Sequence, residues 1–240
     1  MSKIRLLKEP NLETKHNAFA YQCEAVCAIR DLEYAAVFHE QGLGKSKIAI
    51  DLMLYWLEEK IIDTVLFITK KTLIRNWEKE FGLHTYMKPK ILSNNKSANY
   101  YAFNSPSRLM LAHYEVLKSE RERMKLFLKT RDVAVVLDES AKIKNPDSTL
   151  TEVFFELAKL FKKRVIMTGT PVANRPYDIW AQVWFLDQGE SLGNNFSEFK
   201  HNSDLTNDMA NNPSEQVAFE TNVESVFSRI SRFSVRETKN

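Results

Sequence analysis

The sequence predicts an α/β fold, a mostly parallel central sheet with helices on both faces. Three observations carry it. Short runs of β-branched and aromatic residues alternate with longer amphipathic stretches along the chain. The short runs are apolar on both faces, as strands buried between two helical layers must be. The first of them ends in a glycine turn that leads directly into a helical stretch.

In chain order, strands are expected at 34–39, 64–69, 108–113, 133–138 and 164–168, five or six in all. Helices fit 18–32, 45–60, 72–81, 114–129, 148–161 and 177–186, each with apolar residues at helical spacing. From 187 to 216 the composition turns to Asn, Ser and Asp, with Gly189, Gly193 and Pro213 as breakers, and reads as a surface excursion. A terminal helix over about 217–233 follows, with Val217, Val223, Phe227 and Ile230 on the face expected to pack back. The whole chain, 1–240, reads as a single domain, without repeats or low-complexity tracts.

Composition narrows the functional classes. With 240 residues, 44% hydrophobic and 27% charged, global disorder is excluded. No apolar run reaches the roughly 18 residues of a membrane span, and the first ten residues hold too short an apolar core for a signal peptide. An intracellular location, cytoplasmic or nucleoid-associated, and no membrane partner are therefore expected. Cys23 and Cys27, the two cysteines, make neither a disulfide scaffold nor a zinc site and are expected as buried helix residues. The net charge of +3 averages unlike regions: residues 187–225 hold eight acids and one base, −7, so the rest carries +10. A basic face for a polyanion and scattered surface lysines are both consistent with that split.

Six glycines are spread through the chain, and two lie in Glu40-Gln-Gly-Leu-Gly-Lys-Ser46, between a strand and a helix. That setting suits a phosphate-binding loop. Backbone N–H groups of Gln41, Gly42, Leu43 and Gly44, with the positive end of the next helix, would cradle polyphosphate oxygens. Lys45 would reach the β and γ phosphates, and the Ser46 hydroxyl would ligate Mg2+. His39 stands where the full loop pattern has its first glycine. A second acidic site ends the 133–138 strand: Asp138 is placed to hold Mg2+, and Glu139 to orient and deprotonate an attacking water. A third segment, Met167-Thr-Gly-Thr-Pro-Val-Ala-Asn174, offers Thr168, Gly169 and Thr170 on a tight turn for sensing the γ phosphate.

Taken in order, these segments resemble the Swi/Snf family of superfamily-two, helicase-like DNA translocases, specifically their first RecA-like P-loop lobe. Phe19-Ala-Tyr-Gln22 resembles the glutamine motif, in which Gln22 would read adenine. Residues 65–77, with the pair Asn76-Trp77, resemble motif Ia, and 109–117 resemble motif Ib. The stretches Asp138-Glu-Ser-Ala-Lys-Ile-Lys-Asn145 and Thr168-Gly-Thr-Pro-Val-Ala-Asn-Arg-Pro-Tyr-Asp-Ile-Trp180 are similar to the acidic and third motifs.

The resemblance implies ATP and Mg2+ as ligands and sequence-nonspecific duplex DNA as partner, gripped through Lys70, Lys71, Arg75 and His113. Trp77 reads as core rather than a base-stacking residue. Lys142 and Lys144 read as neighbours of the acidic pair, as DNA contacts or as a solvated loop. Ala141 stands where the family has a histidine that relays from the acidic pair to the third motif. The family's second lobe supplies arginine fingers worth on the order of 10³–10⁵ in rate, and nothing after Arg236 could encode it. The expectation is one ATP-binding lobe of a DNA-dependent translocase, nearly inert alone and dependent on a second lobe in the same or a partner chain. Two other readings compete: a stand-alone nucleotide-sensing or DNA-binding module, and the motor part of a restriction or phage-defence complex.

Overall fold

The computed structural model describes residues 9–171, 175–204 and 212–239. Residues 172–174 of the third motif and 205–211 of the acidic excursion lie outside the described residues.

Among the described residues, seven parallel strands form one sheet: β1 (Tyr34–Val37), β2 (Thr64–Thr69), β3 (Lys90–Leu92), β4 (Leu109–His113), β5 (Val133–Asp138), β6 (Lys163–Met167) and β7 (Ser234–Val235), in the order β3-β4-β2-β5-β6-β1-β7. The helices are α1 (Ala20–Ile29), α2 (Lys45–Glu58), α3 (Ile74–His84), α4 (Lys96–Asn104), α5 (Tyr114–Ser119), α6 (Arg121–Thr130), α7 (Thr149–Ala158), α8 (Trp180–Asp187), α9 (Phe196–Ser203) and α10 (Pro213–Ile230). Alternate residues of each central strand point to opposite faces. Leu66, Ile68, Val135, Leu137 and Ile166 join one core with α4 to α8, while Val65, Phe67, Ala134, Val136 and Val165 join another with α1 to α3. All five expected strands form and the sheet is covered on both faces.

The register sets up the site. Asp138 lies beside Met167, and Met167 beside Val37. The acidic pair, the Thr-Gly-Thr turn and the glycine loop therefore leave the sheet from neighbouring positions at its carboxyl edge, where open α/β sheets bind ligands.

Several expectations are corrected. The helix expected over 114–129 is two helices, broken at Glu120, whose buried carboxylate accepts the Asn99 side-chain amide at 2.9 Å. The strands β3 and β7 and the helices α4 and α9 were not legible, being short or polar. Cys23 and Cys27 are exposed, because α1 buries Gln22, Ala25 and Ile29 against the domain and turns the cysteines outward. The excursion is not wholly surface: Leu192 and Phe199 are buried. In α10, Val217 faces solvent, Phe227 and Ile230 pack back as expected, and Val226 packs with them.

Part of the basic excess is structural. The buried guanidinium of Arg164, at the start of β6, donates to the carbonyls of Leu186 at 2.9 Å, Ala158 at 3.1 Å and Phe161 at 3.2 Å, and to Glu33 at 2.7 Å. It thereby closes the carboxyl ends of α7 and α8, whose last carbonyls have no helical partner. Arg164→Met should lower stability by roughly 3 kcal/mol, since buried carbonyls are left unpaired. Urea denaturation of the two proteins checks this.

Candidate nucleotide site

The loop between β1 and α2 depends on two left-handed glycines. Gly42 has φ +91° and Gly44, immediately before α2, φ +68°, a region where other residues are strained. Gly44 is constrained further by contact, since a Cβ there would sit 2.1 Å from Gln22 Nε2. The α2 hydrogen-bond ladder opens with Lys47 N–H to Gly44 O at 3.0 Å, which leaves the preceding N–H groups at the dipole's positive end.

Lys45 projects from the first turn of α2 back over this loop. Its amine donates to the carbonyls of His39 at 2.9 Å and Glu40 at 3.3 Å. Burial pulls its pKa down, while Glu139 and Asp138 push it back up, so amine and carboxylates share one electrostatic site. The third-motif turn closes over them: a Cβ on Gly169 would lie 3.5 Å from the Lys45 amine and 3.4 Å from Gln41 N. Thr168 is fully buried, and its hydroxyl accepts the Thr170 N–H at 3.2 Å, holding the turn rather than reaching outward. Ser46 lies in the first turn of α2 beside Lys45.

Asp138 is held by two donors, Thr69 Oγ1 at 2.9 Å and Trp77 Nε1 at 2.8 Å, both on its Oδ2. Burial raises its pKa; the Trp77 and Thr69 donors lower it, and the adjacent Glu139 raises it. Trp77 is core, as expected, at 3% exposed and packed in tilted contact with Phe67 and Phe81. Its indole N–H also gives it a site role that periodicity alone could not reveal. One oriented carboxylate and one hydroxyl suit Mg2+, which keeps water and phosphate oxygens as its remaining ligands. Glu139 adopts a left-handed backbone, φ 54° and ψ 50°, a strained state at the strand end.

The remaining candidates fall in different surroundings. Gln22 is buried, its Oε1 accepting the Phe19 N–H at 2.9 Å and its Nε2 against Gly44. Lys70, Lys71 and Arg75 are exposed after β2. Lys70 lies 3.6 Å from Glu139 Oε2. His113 is 6% exposed and its Nδ1 lies 3.0 Å from Glu115 Oε2. Glu115 also receives Lys142 at 3.1 Å. Burial pushes the Glu115 carboxyl up, but hydrogen bonds from His113, its own backbone and Lys142 outweigh this and bring it to about 2. Lys144 pairs with Asp178 at 2.9 Å.

With alanine at 141, the acidic motif connects to the third motif one residue earlier. Ser140 Oγ donates to Gln182 Oε1 at 2.6 Å, and Gln182 Nε2 donates to Asp178 O at 2.9 Å and Pro171 O at 3.4 Å. Ser140 and Gln182 are both fully buried. Sequence reading passed over Gln182 because a polar residue in an apolar helix carries no signal of its partner. Gln182→Leu should cost about 1–3 kcal/mol, the penalty of an unsatisfied buried hydroxyl. Adding Ser140→Ala should recover part of the loss, measured as a double-mutant cycle in denaturant.

Comparison with known proteins follows the same lines. A family model described as SNF2-related domain matches residues 21–240. The chain is 28% identical over 193 residues to the probable ATP-dependent DNA helicase CHR23 of Arabidopsis thaliana, covering 76% of this chain and 18% of that protein. An uncharacterized ATP-dependent helicase of Mycoplasma pneumoniae is 30% identical over 173 residues, 69% of this chain and 16% of its own. The Sulfolobus solfataricus SWI2/SNF2 ATPase core in complex with dsDNA superposes with a TM-score of 0.74 at 25% identity, over 98% of this chain and 47% of that one. The chain thus spans less than a fifth of each of these two curated relatives and about half of the solved core. With nearly its whole length matched by the family model, and its parallel sheet by the solved core, this chain belongs to the SNF2-related domain family.

Proposed function

We propose that this chain is the ATP-binding lobe of a DNA-dependent ATPase and translocase that requires a second RecA-like lobe to hydrolyse ATP. The observation that carries the reading is the convergence of Lys45, in the first turn of α2, with Asp138 and Glu139 at the end of β5 over a glycine loop. A lysine flexible enough to exchange two backbone carbonyls for phosphate oxygens suits polyphosphate binding. Ser46 and Asp138 would hold Mg2+ between them and the phosphates, and the ion would supply neutralisation of phosphate charge.

Within that arrangement each residue has a task. The loop N–H groups, with Lys45, bind the β and γ phosphates. Glu139 orients a water and takes its proton. Gln22, anchored to the Phe19 N–H and to Gly44, would read adenine from the same position that supports the loop. Thr168, Gly169 and Thr170 form the turn that meets Lys45, and the Ser140–Gln182 hydrogen bond ties that turn to the residue after Glu139.

Duplex DNA is the proposed polymer, held without sequence preference through Lys70, Lys71 and Arg75. His113, buried against Glu115, would contribute only after leaving that partner. Lys70 stands at the junction of the two functions, because it neighbours Glu139. A DNA phosphate competing for its amine would release the carboxylate for catalysis.

Lys45→Ala should weaken Mg-ATP binding to this chain by at least about tenfold in calorimetry, as loss of a buried charged contact implies. Unchanged affinity would count against the phosphate-loop assignment. In a two-lobed form of the protein, Glu139→Gln should spare ATP binding and abolish turnover. Lys70→Ala should there raise DNA-free hydrolysis and shrink the ratio of DNA-stimulated to DNA-free rates; a preserved ratio would remove Lys70 from the coupling. Robust DNA-stimulated turnover by the 240-residue chain alone would contradict the need for a second lobe.

A further inference from the structure

The segment 234–239 has no evident role in sequence, yet it tracks the strand that opens into the glycine loop. β7 joins β1 in parallel register, Ala36 beside Ser234 and Val37 beside Val235. Contact then continues beyond the ladder: Phe38 N–H donates to Val235 O at 2.8 Å and Glu40 N–H to Glu237 O at 3.0 Å. Finally the Lys239 N–H donates to Glu40 Oε2 at 3.2 Å. Donors on alternate residues 38 and 40 meet acceptors on alternate residues 235 and 237, so this is extended parallel pairing carried up to the loop itself.

The pairing delivers a cation. Lys239 Nζ lies 3.2 Å, and its Cε 3.5 Å, from where a Cβ on Gly42 would be. Gly42 combines that close approach with φ +91°, so the loop is open at the point where the amine arrives. Lys45 meets the loop elsewhere, against Gly169 and the His39 and Glu40 carbonyls. A nucleoside triphosphate with its Mg2+ still carries net negative charge spread over several phosphate groups, more than Lys45 alone offsets.

We infer that Lys239 is a second cation of the phosphate loop, contacting the polyphosphate of a bound nucleotide beside Gly42. The inference rests on the nucleotide-site reading above and deepens it. It makes strand pairing of 234–239 to β1 a determinant of affinity for di- and triphosphates, and it distinguishes these from monophosphates, which do not extend along the loop.

Calorimetry on the 240-residue chain with Mg-ATP, Mg-ADP and AMP tests it, with duplex DNA binding measured in parallel. Lys239→Ala should weaken Mg-ATP and Mg-ADP by about 3- to 10-fold, the worth of one exposed charge-assisted contact, and leave AMP and duplex DNA unchanged. Lys239→Arg should restore the affinity. Lys45→Ala serves as the reference variant. If Lys45→Ala weakens Mg-ATP and Lys239→Ala stays within about twofold of the parent, the inference falls and the nucleotide site stands. If both variants bind as the parent does, the nucleotide-site reading fails and the inference with it. A Lys239→Ala protein that loses only DNA affinity would assign the amine to a DNA phosphate and overturn the proposal.

Discussion

Everything at the carboxyl edge of the sheet depends on the parallel register of β5, β6 and β1. Because Asp138, Met167 and Val37 lie in one row, three loops distant in sequence begin side by side. Parallel pairing also requires that each crossover run back across one face of the sheet or the other, so helices cover both faces and both sides of every central strand are apolar. The same burial that makes the strands short and hydrophobic thus leaves their ends as the places where polar chemistry can gather.

At that edge, backbone close approach does as much as side-chain chemistry. Gly44 accommodates the Gln22 amide and Gly42 the Lys239 amine, each where a methyl group would intrude or press, while Gly169 lies at contact distance from the Lys45 amine. Glu139 has no such freedom and still adopts the left-handed region, so its position is imposed by the β5 end and the turn after it. Thr69 at the end of β2 and Trp77 in α3 fix one oxygen of Asp138 and leave its orientation defined. The site is accordingly braced by residues from the glutamine, Ia and third motifs as well as by its own loop.

The charge distribution acquires a structural division. Arg164 closes helix ends, Arg108 is buried and bonded to Glu9 at 2.6 Å, and Lys163 donates to Leu32 O at 2.6 Å, so these bases serve the fold. Lys70, Lys71 and Arg75 remain exposed near the site. Arithmetic on the whole chain could not separate the two groups, because buried and exposed cations count alike. The Ser140–Gln182 bond has the same character: two polar residues 42 positions apart satisfy each other only after α8 packs on the loop following β5.

The sequence by itself determined the α/β class, the five central strands and the glycine, acidic and third-motif segments, because each is encoded by local periodicity or by contiguous residues. It also marked Lys45 and Ser46 at the start of a helix after the glycine turn, and Asp138 and Glu139 at a strand end. Only the tertiary structure decided which residues meet across those segments: Trp77 with Asp138, Lys70 with Glu139, Gln22 with Gly44 and Lys239 with Gly42. It alone showed that the cysteines face outward and that His113 is turned inward. These facts depend on how helices rotate and strands register against one another, which is a property of packing between distant segments and leaves no trace in any single one.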